Sequence, residues 1–174
     1  METIVLGGGC FWCLEAAYQL INGVEKVVSG YAGGSASDAH YHTVSDGHTG
    51  HAEVVQLTFD PAIISLQDIF DIYWVIHDPT TLNRQGSDVG MQYRSVIFYA
   101  NDEQKQIASD SIKNAGQLWN DPIVTELAQL DTFYPAEDYH QNYFENNPDQ
   151  AYCQVIINPK LTKLRQKFAG QLKK

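Results

Sequence analysis

Residues 3–31 read TIVLGGGCFWCLEAAYQLINGVEKVVSGY, and their order decides the fold. Thr3 to Leu6 is a short β-branched, apolar run with the composition of a buried strand, and the glycines after it turn the chain. Leu14, Ala17, Tyr18 and Ile21 then recur at helical spacing until Asn22-Gly23 ends the pattern. Val24 to Tyr31 reads as the return strand. A strand, a helix and a strand thus follow one another without a break.

The same alternation continues outward. Ala52 to Phe59 reads as a strand, and Ser65 with Asp68 resembles a capping box that opens a helix with the stripe Leu66, Ile69, Phe70, Tyr73 and Trp74. Ser95 to Tyr99 is a further strand, and Asn101 caps a helix carrying Ala108, Ile112, Ala115 and Trp119 on one side. Ile123 to Leu130 alternates as a strand does, Pro135 starts a short helix with Tyr139 and Tyr143, and Tyr152 to Ile157 is a last strand before a terminal helix. In that helix Lys160, Lys163, Arg165 and Lys167 form a solvated face opposite Leu161, Leu164, Phe168 and Leu172. The order predicts an α+β fold: a two-layer sandwich, a ferredoxin-like plait whose mixed sheet carries helices. No linker or repeat divides it, so residues 1–174 are expected to form one domain. The segments 32–51 and 77–94 are long for compact connections, which run to about 4–6 residues, and long loops on a rigid scaffold are where sites are built.

With 44% apolar and 18% charged residues the chain reads as globular. The formal net charge of −10 disfavours nucleic acid and anionic lipid surfaces, which need cationic neutralisation. No apolar stretch long enough to span a membrane and no signal peptide is evident, so a cytoplasmic location is expected. There the 3 cysteines do not make a disulfide framework. Nothing in the pattern demands more than a monomer.

Cys10 sits where the first helix begins, and unpaired N–H groups together with the helix dipole favour its thiolate, the nucleophilic form. Cys13 lies one helical turn on, placed for a disulfide with Cys10 or as a spare thiol. Cys153 falls in the expected last strand and by spacing is a core residue. Phe11 and Trp12 are either core or an apolar pocket beside the nucleophile. Period-two alternation puts Glu53 on the apolar face with Val55, Leu57 and Phe59, where a desolvated carboxyl becomes a neutral proton donor unless, at the strand's first position, it bends out to solvent. His40, His42, His48 and His51 crowd one loop, but their spacing matches no usual zinc pattern, so no metal is expected.

Gly9-Cys10-Phe11-Trp12-Cys13, then Gly50-His51-Ala52-Glu53, then HDPTTLNRQGSDVGMQYRS from His77 to Ser95, and EDYHQNYF from Glu137 to Phe144 run in the same order as in peptide methionine sulfoxide reductase A. The chain resembles that family over nearly its whole length. The resemblance implies thiol-dependent reduction of the S epimer of methionine sulfoxide, free or protein-bound, without a cofactor. Residue by residue it makes Cys10 the nucleophile and Glu53 the acid, with Tyr41 and Tyr93 as the hydroxyls that bind the oxygen. Phe11 and Trp12 correspond to the pocket for the S-methyl group, and Asp88 and Tyr143 line the site or position a water. A sulfenic acid left on Cys10 must condense with a second thiol. Many family members end in a glycine-rich tail with cysteines, whereas Cys153 here runs into Gln154-Val155-Ile156-Ile157, an expected strand from which a cysteine swings less freely. Cys13 is therefore favoured as first resolver, with Cys153 as relay or structure, and a thioredoxin-like dithiol is the implied external reductant.

Overall fold

In the computed structural model, which describes residues 1–173, the opening stretch forms β1 (Glu2–Gly7), α1 (Phe11–Tyr18) and β2 (Val24–Ala32). β1 does not pair with β2. It pairs antiparallel with β3 (Ala52–Phe59) on one side and β6 (Val96–Tyr99) on the other, while β2 pairs with the far side of β3. The crossovers through α1 and α3 (Leu66–Ile76) therefore interleave, each bridging one intervening strand. β7 (Glu126–Gln129) adds parallel to β6, and β8 (Phe133–Pro135) antiparallel to β2, giving a mixed sheet ordered β7-β6-β1-β3-β2-β8.

One face of the sheet carries the main core. Ile4, Leu6, Val55, Leu57, Phe59 and Ile97 pack there with α1, α3, α4 (Asp102–Ala115) and α6 (Asn158–Lys167). Val5, Ala52, Val54, Val96 and Phe98 form a smaller cluster on the opposite face, packed against Ala128, Leu130 and Phe133. The helix starts obey the sequence. Ser65 Oγ accepts the Asp68 N–H at 3.0 Å and the Asp68 carboxylate accepts back from Ser65, while Asn101 Oδ1 accepts from Gln104 N–H at 2.9 Å. The long connections hold short elements of their own: α2 (Tyr41–Ser45) in the first, and a hairpin of β4 (Arg84–Gln85) and β5 (Asp88–Val89) in the second.

Two expected elements differ. Tyr152 to Ile157 is not a strand: Cys153–Ile157 is a wide π-helical turn that runs directly into α6. Its β-branched residues suggested a strand, yet Cys153 and Ile157, four apart, are the buried pair, and the sheet edges are already taken by β7 and β8. Pro159 in the first turn of α6 supplies the physical reason for the widening, because a proline ring crowds the carbonyl four residues back; the Asn158 N–H instead reaches the Cys153 carbonyl, five back. Pro135 likewise does not start a helix. It closes β8 at the sheet edge, where a missing N–H costs little, and the helical turns come later at Asp138–His140 and α5 (Tyr143–Asn146).

Candidate active site

Antiparallel register brings one end of the sheet to a focus. Gly7, the last residue of β1, lies opposite Val54 near the start of β3 and opposite Val96 at the start of β6. Tyr31, near the end of β2, faces Glu53. The segments that follow β1 and β2, and those that precede β3 and β6, therefore meet at this end; they carry Cys10, Tyr41 and Tyr93, and β3 itself adds Glu53.

Cys10 is the N-cap of α1, reached through a glycine turn that is tightly held. A Cβ on Gly8 would stand 2.9 Å from the His77 ring, and Gly9 has φ +87°, a conformation side chains rarely adopt. The Tyr73 hydroxyl donates to the Gly7 carbonyl, and the Gly9 N–H donates to the Tyr93 carbonyl at 3.1 Å. His77 is itself fixed by Ser95 Oγ at 2.8 Å and the Tyr73 carbonyl at 2.6 Å, and burial lowers its pKa to about 4, so the prop under the turn is neutral.

Glu53 is turned inward as its alternation requires, only 1% exposed, and its carboxylate oxygen accepts the Phe11 N–H at 3.2 Å. Burial raises its pKa to about 8; the Phe11 N–H pulls it down only part of the way, Asp88 adds to the rise, and the Cys10 thiol lowers it slightly. Glu53 is thus a neutral acid at pH 7. The expectation of a stabilised Cys10 thiolate is not met. Cys10 is 7% exposed, and burial first, then the neighbouring Glu53 and Cys13, push its thiol well above the usual range. The dipole of this short, 8-residue helix does not outweigh the desolvation of the whole side chain.

Tyr41 and Tyr93 are half-buried, and burial followed by Glu53 keeps both phenols protonated, so each is a hydrogen-bond donor. Trp12 lies flat on Tyr143, with ring centroids 3.7 Å apart, and has Tyr152 against it edge-on. Phe11 is fully buried against Tyr31 and His140. Asp88 accepts from the Tyr152 hydroxyl at 2.7 Å. All three cysteines are free and buried; Cys13 faces the Tyr152 oxygen at 3.6 Å, and Cys153 packs in the turn above α1.

Three supporting residues were not picked out from the sequence. His140 Nδ1 accepts the Trp12 indole N–H at 3.1 Å, Glu137 holds the Tyr31 hydroxyl at 2.8 Å and the Tyr41 N–H at 3.0 Å, and Tyr152 joins Cys13 to Asp88. His140 and Glu137 stand inside the EDYHQNYF motif, which was the only signal that could have found them. Of the loop histidines, His51 is buried, accepting from the Gly34 N–H at 3.1 Å and donating to the Ser35 carbonyl at 2.7 Å, a tie across the first long loop. No group of three His, Cys, Asp or Glu converges as a metal would need among the described residues. No helix among them is long and apolar enough to cross a membrane.

The sequence model of the family described as peptide methionine sulfoxide reductase matches residues 2–172. The peptide methionine sulfoxide reductase MsrA of Leptospira borgpetersenii is 60% identical over 163 residues, 94% of this chain and 93% of that protein. Among solved structures, Mxr1 of Saccharomyces cerevisiae in reduced form superimposes with TM-score 0.84 at 36% identity, covering 87% of this chain and 88% of the yeast chain. Mxr1 in complex with Trx2 superimposes with TM-score 0.59 at 28% identity, over 82% and 84% of the two chains.

Proposed function

The chain belongs to the peptide methionine sulfoxide reductase family of oxidoreductases, and from that premise we propose that Cys10 and Glu53 carry the thiol-dependent reduction of the S epimer of methionine sulfoxide, free and in proteins. The observation that carries this assignment is the carboxyl of Glu53, buried and neutral, tied to the N-terminus of the helix that Cys10 caps. A sulfoxide develops negative charge on oxygen as its sulfur is attacked, and a neutral acid beside the nucleophile meets that charge. Cys10 sulfur attacks the sulfoxide sulfur, Glu53 protonates the oxygen, and the Cys10 proton returns to Glu53. The net change is Cys10–SH plus sulfoxide to Cys10–SOH plus thioether.

The protonated hydroxyls of Tyr41 and Tyr93 hold the oxygen, and Trp12, stacked on Tyr143, meets the S-methyl group; Phe11, fully buried, backs this wall from the core rather than facing the substrate. Donors on one side and an apolar wall on the other select one configuration at sulfur. Asp88 lines the site and, through Tyr152, fixes its lower edge. Cys13, one turn from Cys10, closes the first disulfide, and Cys153 relays it outward. A thioredoxin-like dithiol then returns the enzyme to its reduced form, a choice that the Mxr1 complex with Trx2 supports. No cofactor takes part, and the enzyme works as a single-domain monomer in the cytoplasm.

The test is a single turnover without reductant, each epimer offered separately to the reduced protein. About one methionine per chain from the S epimer alone, with a pair of thiols lost, is the expected result; no methionine from either epimer removes Cys10 and Glu53 from these roles.

A further inference from the structure

The Tyr152 hydroxyl stands between Cys13 and Asp88. It donates to the Asp88 carboxylate at 2.7 Å, and its oxygen faces the Cys13 sulfur at 3.6 Å. A phenol has one proton and free lone pairs, so with that proton committed to Asp88 the other contact has a single polarity: the Cys13 S–H donates to Tyr152. The three side chains form a directed chain, thiol to phenol to carboxylate. Its far end is open, because Asp88 lines a cleft of about 490 Å³ with His77, Gln85, Val155, Lys160 and Lys163. Its near end is closed, because Cys13 is buried under the π-helical turn.

Disulfide formation asks for such a path. The Cys13 N–H bonds the Cys10 carbonyl at 3.1 Å, so one tight turn separates the two residues and their sulfurs can meet without strand movement. The obstacle is the proton, since a thiolate attacks a sulfenic acid and a thiol does not. Burial raises the Cys13 thiol, and the Lys160 ammonium pulls it back down.

We propose that Tyr152 is the proton acceptor of Cys13 in the resolving step, passing its own proton to Asp88, which makes Asp88 the positioning residue and proton store at the mouth of the cleft. The inference rests on the reading of Cys13 as first resolver. As the Cys13 proton moves to Tyr152 and the Tyr152 proton to Asp88, the Cys13 sulfur attacks the Cys10 sulfur. The S–S bond forms, the S–O bond breaks, and the departing hydroxide takes the stored proton and leaves as water. Cys10–SOH and Cys13–SH become a disulfide and water, with no outside oxidant or reductant.

The experiment mixes full-length reduced enzyme with methionine sulfoxide without reductant and follows methionine, dimedone-trapped Cys10 sulfenic acid and the mapped disulfide together. In Tyr152→Phe and Asp88→Asn the rate of disulfide formation relative to methionine formation is expected to fall about tenfold or more, the low end of what positioned proton transfer contributes, with the dimedone adduct accumulating. A merely structural Tyr152 would slow both steps together and leave that ratio alone. A ratio within about twofold of wild type in Asp88→Asn, which keeps the phenol and its packing, overturns the relay even where Tyr152→Phe fails to fold. A first disulfide mapped to Cys10–Cys153 overturns instead the reading of Cys13 beneath it.

Discussion

Two neutral acids stand together in the reduced protein, the Cys10 thiol and the Glu53 carboxyl, and most of the chemistry turns on which gives up its proton first. Burial raises both; Glu53 further raises the cost of ionising Cys10, whereas the Cys10 thiol lowers Glu53 slightly through its hydrogen bond. Glu53→Gln is expected to slow methionine formation in a single turnover by roughly 10²–10⁴-fold, the usual worth of a general acid. In the wild type the same rate should fall as pH rises through about 8, where Glu53 ionises, and that decline should be missing from the variant. The stability consequence has a definite sign. A carboxyl with pKa about 8 in the native state and about 4.3 unfolded binds its proton more tightly when folded, so its contribution is complete below the unfolded value and lost as pH rises through about 8. Thermal melts of Glu53→Gln should therefore lie above wild type at pH 8, with the gap closing toward pH 4. Iodoacetamide offers an independent reading of Cys10. Alkylation should be slow at pH 7 and climb steeply into the alkaline range, more steeply in Glu53→Gln, where no carboxylate opposes the thiolate; fast labelling at pH 6 would contradict the raised thiol.

Elements decide how firmly these side chains are aimed. α1 begins with no side-chain cap and only 8 residues, so its position depends on the glycine turn before it and on the fully buried Leu14, Ala17 and Tyr18 beneath it. Gly8→Ala would drive a methyl against the His77 ring and is expected to cost about 1–3 kcal/mol by denaturant melts while displacing Cys10, so that turnover falls beyond what the stability loss accounts for. α3 reaches the site only through Tyr73 and His77 at its C-terminal end, so its exposed N-cap supplies the control: Ser65→Ala removes the capping box at a cost of about 1 kcal/mol with turnover unchanged. Trp12→Ala removes the stacked wall made with Tyr143, and loss of preference between the two sulfoxide epimers is the expected readout. Unchanged preference would reduce Trp12 to a packing residue.

At the scale of the whole molecule the site exists because antiparallel register gathers the ends of β1 and β2 and the starts of β3 and β6, and because the C-terminal segment closes over α1. Leu164→Ala, in the face of α6 that anchors this closure, should cost about 2–5 kcal/mol and loosen the π-helical turn that holds Tyr152 and Cys153. Periodicity and caps made β1, β2, β3, β6 and β7 with α1, α3 and α4 readable in the linear chain, since each depends on residues within a few positions of one another, whereas the edge strand β8 was not. The inward side of Glu53 was readable for the same reason. The motifs also marked Cys10, Trp12 and Tyr93 and, by resemblance, Tyr41 and the family. Long-range packing decided the rest. The apolar run at Cys153–Ile157 became helix because the sheet edges were occupied and Pro159 followed; the Cys10 thiol was raised rather than lowered because burial outweighed a short helix's dipole; and Glu137, His140 and Tyr152 acquired partners 64–139 residues away. Local propensity lies in neighbouring residues, whereas desolvation and hydrogen-bond partnership depend on atoms that only the folded chain brings together.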